Sequence, residues 1–174
     1  MILMIDELLK EISELKEVEA ISIGGSRSGD NYDENSDYDI YVYITSPIDE
    51  NIRSEILNKY CKYTEIGNHY WENEDNCVLN NNIDIDIIYR DLDDFCNTVA
   101  ESAEHFQSRN GYTTCMWYNL MNCKIICDKN KRLAQAKARF DIPYPEELRK
   151  NIIRRNMDLI SDAMPAYSHQ IAKA

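Results

Sequence analysis

Apolar residues recur at two different spacings along the chain, and the two spacings alternate. Residues 4–17 carry an amphipathic helical pattern, in which apolar side chains share one face and charged residues lie between them. We expect this helix to begin near Asp6. A short strand is predicted over Val18–Ile23 and ends at two glycines, and residues 38–45 alternate strictly between apolar and polar positions.

The remaining segments continue this alternation of helices and strands. Helices are predicted over 47–60, 91–107, 131–140 and 145–162, and the ambiguous segment 113–121 is also assigned to a helix. Strands are predicted over 62–66, 77–79, 82–89 and 124–127, and the polar stretch 67–76 is interpreted as a loop. The pattern favours an α/β (α+β) fold, with a mixed twisted sheet of about five strands flanked by helices.

The alternating strand over 38–45 brings two carboxylates onto one face. Asp37 and Asp39 point to the same side as Tyr41 and Tyr43, because successive side chains of a strand point to opposite faces. Like charges this close repel each other, and a shared divalent cation is the commonest reason for a fold to keep them together. For the two tyrosines, packing is favoured over a role in a nucleotide pocket.

These residues form a motif that resembles a known family. Gly25 and Ser26 are followed, eleven positions after the serine, by Asp37 and Asp39 at the start of an apolar strand. The arrangement resembles the nucleotidyltransferase superfamily of polymerase β type, and in particular its bacterial stand-alone domains, which are related to antibiotic nucleotidyltransferases. That family needs a third carboxylate on a neighbouring strand. Residues 83–91 supply it as Asp86, with Asp84 as the alternative.

The resemblance implies both a reaction and a set of site residues. A nucleoside monophosphate would move from a nucleoside triphosphate to a hydroxyl of a small, antibiotic-like acceptor, with the help of two Mg²⁺ ions for which Mn²⁺ can substitute. The catalytic and metal-binding residues would be Asp37, Asp39 and Asp86. The nucleotide-binding residues would be Gly25, Ser26 and Arg27, which would hold the triphosphate tail.

Composition limits the partners. The chain has 31 acidic and 19 basic residues and a net charge of −12, which argues against a nucleic-acid acceptor because phosphate binding depends on Lys and Arg. No apolar run approaches the roughly 20 residues that span a bilayer, and the start of the chain lacks a basic signal, so we expect a cytoplasmic location. The six cysteines have no metal-binding spacing and are expected to be reduced and mostly buried.

Two other functions stay open at this point. The same chemistry could modify a protein or tRNA partner in a toxin–antitoxin pair, and the low basic content favours the protein. The chain could also be an inactive nucleotide-binding module.

The expected organisation has two parts. Residues 1–128 would form the catalytic domain, and residues 129–174 a partial, shortened form of the helical region that helps relatives bind the acceptor.

Overall fold

The computed structural model describes residues 2–28, 36–70, 72–110 and 112–157. Within them the strands are β1 (Val18–Ile23), β2 (Tyr38–Ile44), β3 (Cys61–Asn68), β4 (Asn73–Leu79), β5 (Asp84–Asp91) and β6 (Lys124–Asp128). The helices are α1 (Ile2–Ser13), α2 (Glu50–Tyr60), α3 (Leu92–Ala103), α4 (Cys115–Asn122) and α5 (Arg132–Phe140), with a short 3₁₀ helix over Ser26–Ser28. Residues 146–157 are also helical and are called α6.

The strands form one mixed sheet in the order β3-β4-β5-β2-β1-β6. Its two central strands, β2 and β5, run parallel, and the other neighbouring strands pair antiparallel. A parallel pair needs a long crossover, which α2, β3 and β4 supply here. The expected mixed α+β sheet is confirmed, with six strands rather than about five.

Helices cover the two faces of the sheet differently. On one face, α1 and α2 close an apolar core with alternate residues of the central strands, among them Ile21, Ile40, Val42, Ile85 and Ile87. On the other face, α3, α4 and α5 pack against a second core that includes Tyr41, Tyr43 and Ile88, and Leu148 of α6 joins it. The second core begins at Tyr41 on β2, so the residues of β2 that precede it lie beyond this core.

The largest difference from the predicted elements lies in β3 and β4. The polar stretch 67–76 was expected to be a loop, but β4 includes its last four residues and hydrogen-bonds to strands on both sides. The reason is tertiary: Asp75 is fully buried. Its carboxylate accepts hydrogen bonds from Arg53 Nη1 at 2.5 Å, from the amide of Gly67 at 2.9 Å and from Tyr89 Oη at 2.9 Å. The polar composition of residues 73–76 therefore led to the wrong prediction for part of β4, an internal strand of the sheet.

Several helix ends also differ from the predicted ones. The first helix begins before Asp6, and α2 begins at Glu50 because the Asp49 side chain accepts a hydrogen bond from the amide of Asn51. Asp91 caps α3, accepting hydrogen bonds from the amides of residues 93 and 94. This helix ends at Ala103, earlier than predicted, and Phe106 follows with a φ of 56°. The predicted end of the last helix lies outside the described residues.

The cysteines and the helix lengths bear on two further expectations. All six cysteines are free, with Cys61, Cys77 and Cys123 buried and the other three half-buried, so fewer are buried than expected. Across the described ranges, no helix has both the length and the apolarity that crossing a bilayer would require.

Candidate active site

The acidic residues singled out in the sequence meet where the two parallel strands begin. Asp39 on β2 is directly opposite Asp86 on β5, so the two side chains share a face of the sheet. Asp37 precedes the first residue of β2 and is exposed, while Asp39 and Asp86 are half-buried. The structure therefore places Asp39 and Asp86 opposite each other on neighbouring strands, with Asp37 just before the first of them.

The pKa of Asp39 reflects its burial and the nearby carboxylates. Burial raises the pKa of the Asp39 carboxyl above its usual value, and the negative charges of Asp37 and then of Asp86 raise it further. Asp84, the alternative third carboxylate, is exposed at the first position of β5. The partial burial of Asp86 and its position opposite Asp39 make it the better candidate.

A fourth carboxylate lies on the same face, and the sequence reading missed it. Glu74 on β4 is opposite Ile88 of β5, two residues along the strand from Asp86. Burial raises the pKa of Glu74, and the charges of Asp86 and Glu72 add to the effect. Its position within a stretch interpreted as loop explains why it was overlooked.

The glycine turn packs directly on the acid cluster. The amide of Gly24 donates to the carbonyl oxygen of Asp39 at 2.9 Å, which ties the turn to β2. Gly25 has a φ of +57°, and a Cβ atom built at this position would lie 1.7 Å from Asp39 Oδ2. Both the backbone conformation and the close approach therefore require glycine. Ser26, whose side chain is not described, begins the 3₁₀ helix that follows.

Arg27 closes the other side of the turn. Its Nε donates to the carbonyl oxygens of Ser36 and Asp37 at 2.7 and 3.0 Å, and its Nη2 donates to that of Ser36 at 2.5 Å. The guanidinium lies 3.9 Å from the centroid of the Tyr38 ring. Arg27 thus holds the residues that lead into β2, beside any role toward a nucleotide.

Asn76 is a second residue that the sequence reading missed. It lies opposite Asp86 on β4, and its Nδ2 donates to Asp86 Oδ1 at 2.7 Å. The signal available in the sequence was weak, because asparagine is common in loops and residues 67–76 are rich in polar side chains. Only the pairing of β4 with β5 reveals the contact.

Aromatic and basic residues follow the carboxylates on the same face of the sheet. Tyr43 is almost fully buried and packs on Phe95, as expected for a packing role. Tyr41 lies against the glycine turn, with its hydroxyl accepting a hydrogen bond from Asn119 Nδ2 at 3.2 Å. The Arg90 guanidinium is 4.2 Å from the centroid of the Tyr41 ring and pairs bidentately with Glu72.

The donor set suits a hard divalent cation such as Mg²⁺, because every candidate ligand is a carboxylate. Burial is the main cause of the raised pKa of Asp39, and the charges of Asp37 and Asp86 add to it; a bound cation would offset the repulsion between these charges. In the described part of the chain, however, no group of three acidic, histidine or cysteine side chains is already gathered closely enough to hold a metal ion. Binding would have to draw the carboxylates together.

Comparison with known proteins gives one family match. The family described as "Nucleotidyltransferase domain" matches residues 5–108, more than half of the chain. No curated protein matches significantly.

Solved structures give more distant likenesses. One is a toxin–antitoxin complex with AMP-PNP, 14% identical, with a TM-score of 0.41 over 97% of this chain and 96% of that one. Another is a mutant of the toxin–antitoxin pair MntA–HpeT, 13% identical, with a TM-score of 0.40 over 96% and 95%.

Proposed function

We propose, from the premise that the chain belongs to the nucleotidyltransferase domain family, that it moves a nucleoside monophosphate from a nucleoside triphosphate to an acceptor hydroxyl at the Asp37, Asp39 and Asp86 cluster. The acceptor oxygen forms the new bond to the α-phosphorus, and pyrophosphate leaves. The observation that carries the proposal is the pairing of Asp39 with Asp86 across the parallel strands, with Asp37 close enough to raise the pKa of Asp39. Such transfer depends on positioning and on charge neutralisation more than on covalent chemistry by the protein.

The three carboxylates would hold Mg²⁺ or, in its place, Mn²⁺. When bound, two such ions neutralise the triphosphate and favour loss of the acceptor's proton. The charges of Asp37 and Asp86 both raise the pKa of Asp39, so its carboxylate lies near both of them. In line with the family resemblance, Asp37 and Asp39 would hold both ions and Asp86 would hold the ion on the acceptor side.

We assign the triphosphate tail to the turn at Gly25 and Ser26. The missing side chain of Gly25 leaves its backbone in contact with Asp39, so a phosphate held by this turn would lie next to the acid cluster. Arg27 is anchored to the carbonyl oxygens that lead into β2. Its charge is thereby held beside the turn, where it can offset that of a phosphate.

A small hydroxylated molecule is the first candidate for the acceptor. A cavity of about 430 Å³ lies between α4 and α6, within the size range of small-molecule sites, and Tyr118, Asn119 and Asn156 are among its lining residues. Asn119 also contacts Tyr41, two residues along β2 from Asp39, so the wall of the cavity is connected to the acid face. The net charge of −12 would steer a cationic acceptor toward the protein.

A protein hydroxyl is the second candidate, and an exposed aromatic surface favours it. Tyr112 is 85% exposed, Tyr118 67% and Tyr144 53%. Clusters of exposed apolar side chains are typical of surfaces that bind other proteins. The acidic composition, in contrast, disfavours tRNA.

The test is radiolabel transfer from each of the four ribonucleoside triphosphates. The acceptors are a panel of hydroxylated antibiotics and, separately, cell lysate resolved into protein and RNA. We expect label in one fraction that depends on Mg²⁺ and disappears with Asp39→Ala, while circular dichroism shows that the variant is folded. Full metal-dependent activity of Asp39→Ala would refute the assignment of the site.

If the chain is an inactive nucleotide-binding module, the same measurements should give different results. An inactive module would give no transfer, and millimolar nucleotide with Mg²⁺ would leave its unfolding temperature unchanged. A working site would be stabilised by nucleotide only when the metal and Asp37 are both present.

A further inference from the structure

We infer that Asn76 is a positioning residue for the acid cluster, which holds Oδ1 of the Asp86 carboxylate and leaves Oδ2 to a metal ion. The inference rests on the proposed function, because it concerns the same cluster. It adds a residue, and a chain of hydrogen bonds behind that residue, that the family motif does not contain.

The chain of hydrogen bonds runs from the backbone after β3 to the third carboxylate. The amide of Tyr70 donates to Asn68 Oδ1 at 2.9 Å, and Asn68 Nδ2 donates to Asn76 Oδ1 at 2.7 Å. Asn76 Nδ2 then donates to Asp86 Oδ1 at 2.7 Å. Three consecutive hydrogen bonds thus join the backbone of the β3–β4 connection to the metal-binding face.

Chemistry fixes the direction of this chain at both ends. A backbone N–H can only donate, so Asn68 must present its oxygen to Tyr70 and its NH₂ group to Asn76. An ionised carboxylate can only accept, so Asn76 must present its NH₂ group to Asp86 and its oxygen to Asn68. The two requirements agree, and each carboxamide has one orientation that satisfies both of its neighbours.

The buried ion pair of the sheet anchors the two asparagines. Asn68 follows Gly67, and Asn76 follows Asp75; the amide of Gly67 donates to the Asp75 carboxylate, which also pairs with Arg53. Asp75 and Arg53 are 0% and 5% exposed, so this anchor is shielded from water. The backbone beside each asparagine is therefore held by groups of the protein interior.

The two carboxylate oxygens of Asp86 would therefore have different partners. Oδ1 receives the hydrogen bond from Asn76, which restricts rotation of the carboxylate. Oδ2 remains for a cation shared with Asp39, which lies opposite on β2. Hydrogen bonds of this kind to metal-ligating carboxylates typically change metal affinity or activity about 10- to 100-fold when they are removed.

The experiment measures Mn²⁺ binding by the electron paramagnetic resonance signal of free Mn²⁺, with and without an ATP analogue whose link between the α- and β-phosphates cannot be cleaved. Asn76→Ala and Asn68→Ala are compared with wild type, and Asn73→Ala is the matched control, since Asn73 is on the same strand but pairs with Tyr89. Thermal unfolding without metal is recorded for every variant, and kcat and the Mg²⁺ concentration for half-maximal rate are measured in parallel.

We expect Asn76→Ala to weaken Mn²⁺ binding about 10- to 100-fold, Asn68→Ala to weaken it less, and Asn73→Ala to leave it within about twofold of wild type. Unchanged Mn²⁺ affinity with a lowered unfolding temperature would show a purely structural role for Asn76 and overturn the inference. If Asn76→Ala does not fold, Asn68→Ala decides, because it keeps Asn76 but removes the group that orients it.

Failure of the proposed function would look different. Wild type itself would then bind no Mn²⁺ at millimolar concentration, with or without the nucleotide analogue, and both proposals would fall together. Wild type that binds Mn²⁺ while Asn76→Ala and Asn68→Ala bind it equally well would remove the positioning role alone.

Discussion

Replacing Asp75 by Asn removes a negative charge from the interior of the sheet and leaves the size of the side chain unchanged. In wild type, the fully buried carboxylate pairs with Arg53, which is 5% exposed. Among the described residues, the other acidic group within ion-pair distance of Arg53 is Glu50, which is 65% exposed and has its Oε1 3.7 Å from Arg53 Nη2. The substitution therefore leaves a buried guanidinium without a buried counter-charge.

Breaking a buried pair by removing one partner costs roughly 3–5 kcal/mol. The carboxamide oxygen of Asn can still accept a hydrogen bond, so we expect the lower end, about 3 kcal/mol. Natural domains have only about 5–15 kcal/mol of total stability, so the variant should still fold. For a chain of this size, 1 kcal/mol corresponds to about 2–4 °C in Tm, and the expected decrease is about 6–12 °C.

Differential scanning calorimetry at neutral pH measures the decrease. The matched control is Glu65→Gln, which removes a negative charge from an exposed position of the neighbouring strand and should change Tm by less than about 2 °C. Adding Arg53→Met to the Asp75 variant should recover part of the loss, because no unpaired charge is then buried. A Tm within about 2 °C of wild type for Asp75→Asn would refute the reasoning.

Further expectations concern the site itself. Asp39→Asn should abolish transfer yet raise the Tm of the metal-free protein at neutral pH, because burial and the charges of Asp37 and Asp86 disfavour the ionised carboxylate. Because the pKa of Asp39 in the folded protein lies above the usual value of 3.8, the difference in Tm between the variant and wild type should shrink as pH falls toward about 4. Thermal scans between pH 3 and 7 measure this difference, and a difference independent of pH would contradict the expectation. Gly25→Ala should lower kcat/KM on the order of 10²-fold, because its Cβ would displace Asp39, and unchanged kinetics would rule out the close approach. Asp86→Asn should abolish transfer while Asp84→Asn retains it, and the reverse result in the same radiolabel assay would make Asp84 the third carboxylate.

The sequence predicted the parts of the fold that local patterns determine. Strict alternation over 38–45 gave β2 to within one residue, and the apolar run before the glycines gave β1. The residues of the acid cluster could also be identified from the sequence, because Asp37 and Asp39 are two positions apart and Asp86 lies in an apolar strand. Each of these features depends on the spacing of residues within a single element.

What the sequence did not predict depends on contacts between distant residues. Residues 73–76 look like loop because they are all Asn, Asp or Glu, and they extend the strand predicted over 77–79 because β3 and β5 pair with them on both sides. Asp75 tolerates burial only because Arg53 and Tyr89 come to it from elsewhere in the chain. The hydrogen bond from Asn76 to Asp86 depends on the same pairing, so no local rule could have found it.

The crossover between the two parallel strands has a consequence for how the protein acquires activity. β4 and β5 are neighbours in sequence and close a short loop when they pair, whereas β2 is separated from β5 by α2, β3 and β4, so this pairing has the larger loop-closure entropy and is expected to form later. Asp39 and Asp86 face each other only across that late junction. A chain emerging from the ribosome would thus be unable to assemble its acid cluster until the centre of the sheet closes, and the appearance of metal binding during refolding would time that closure.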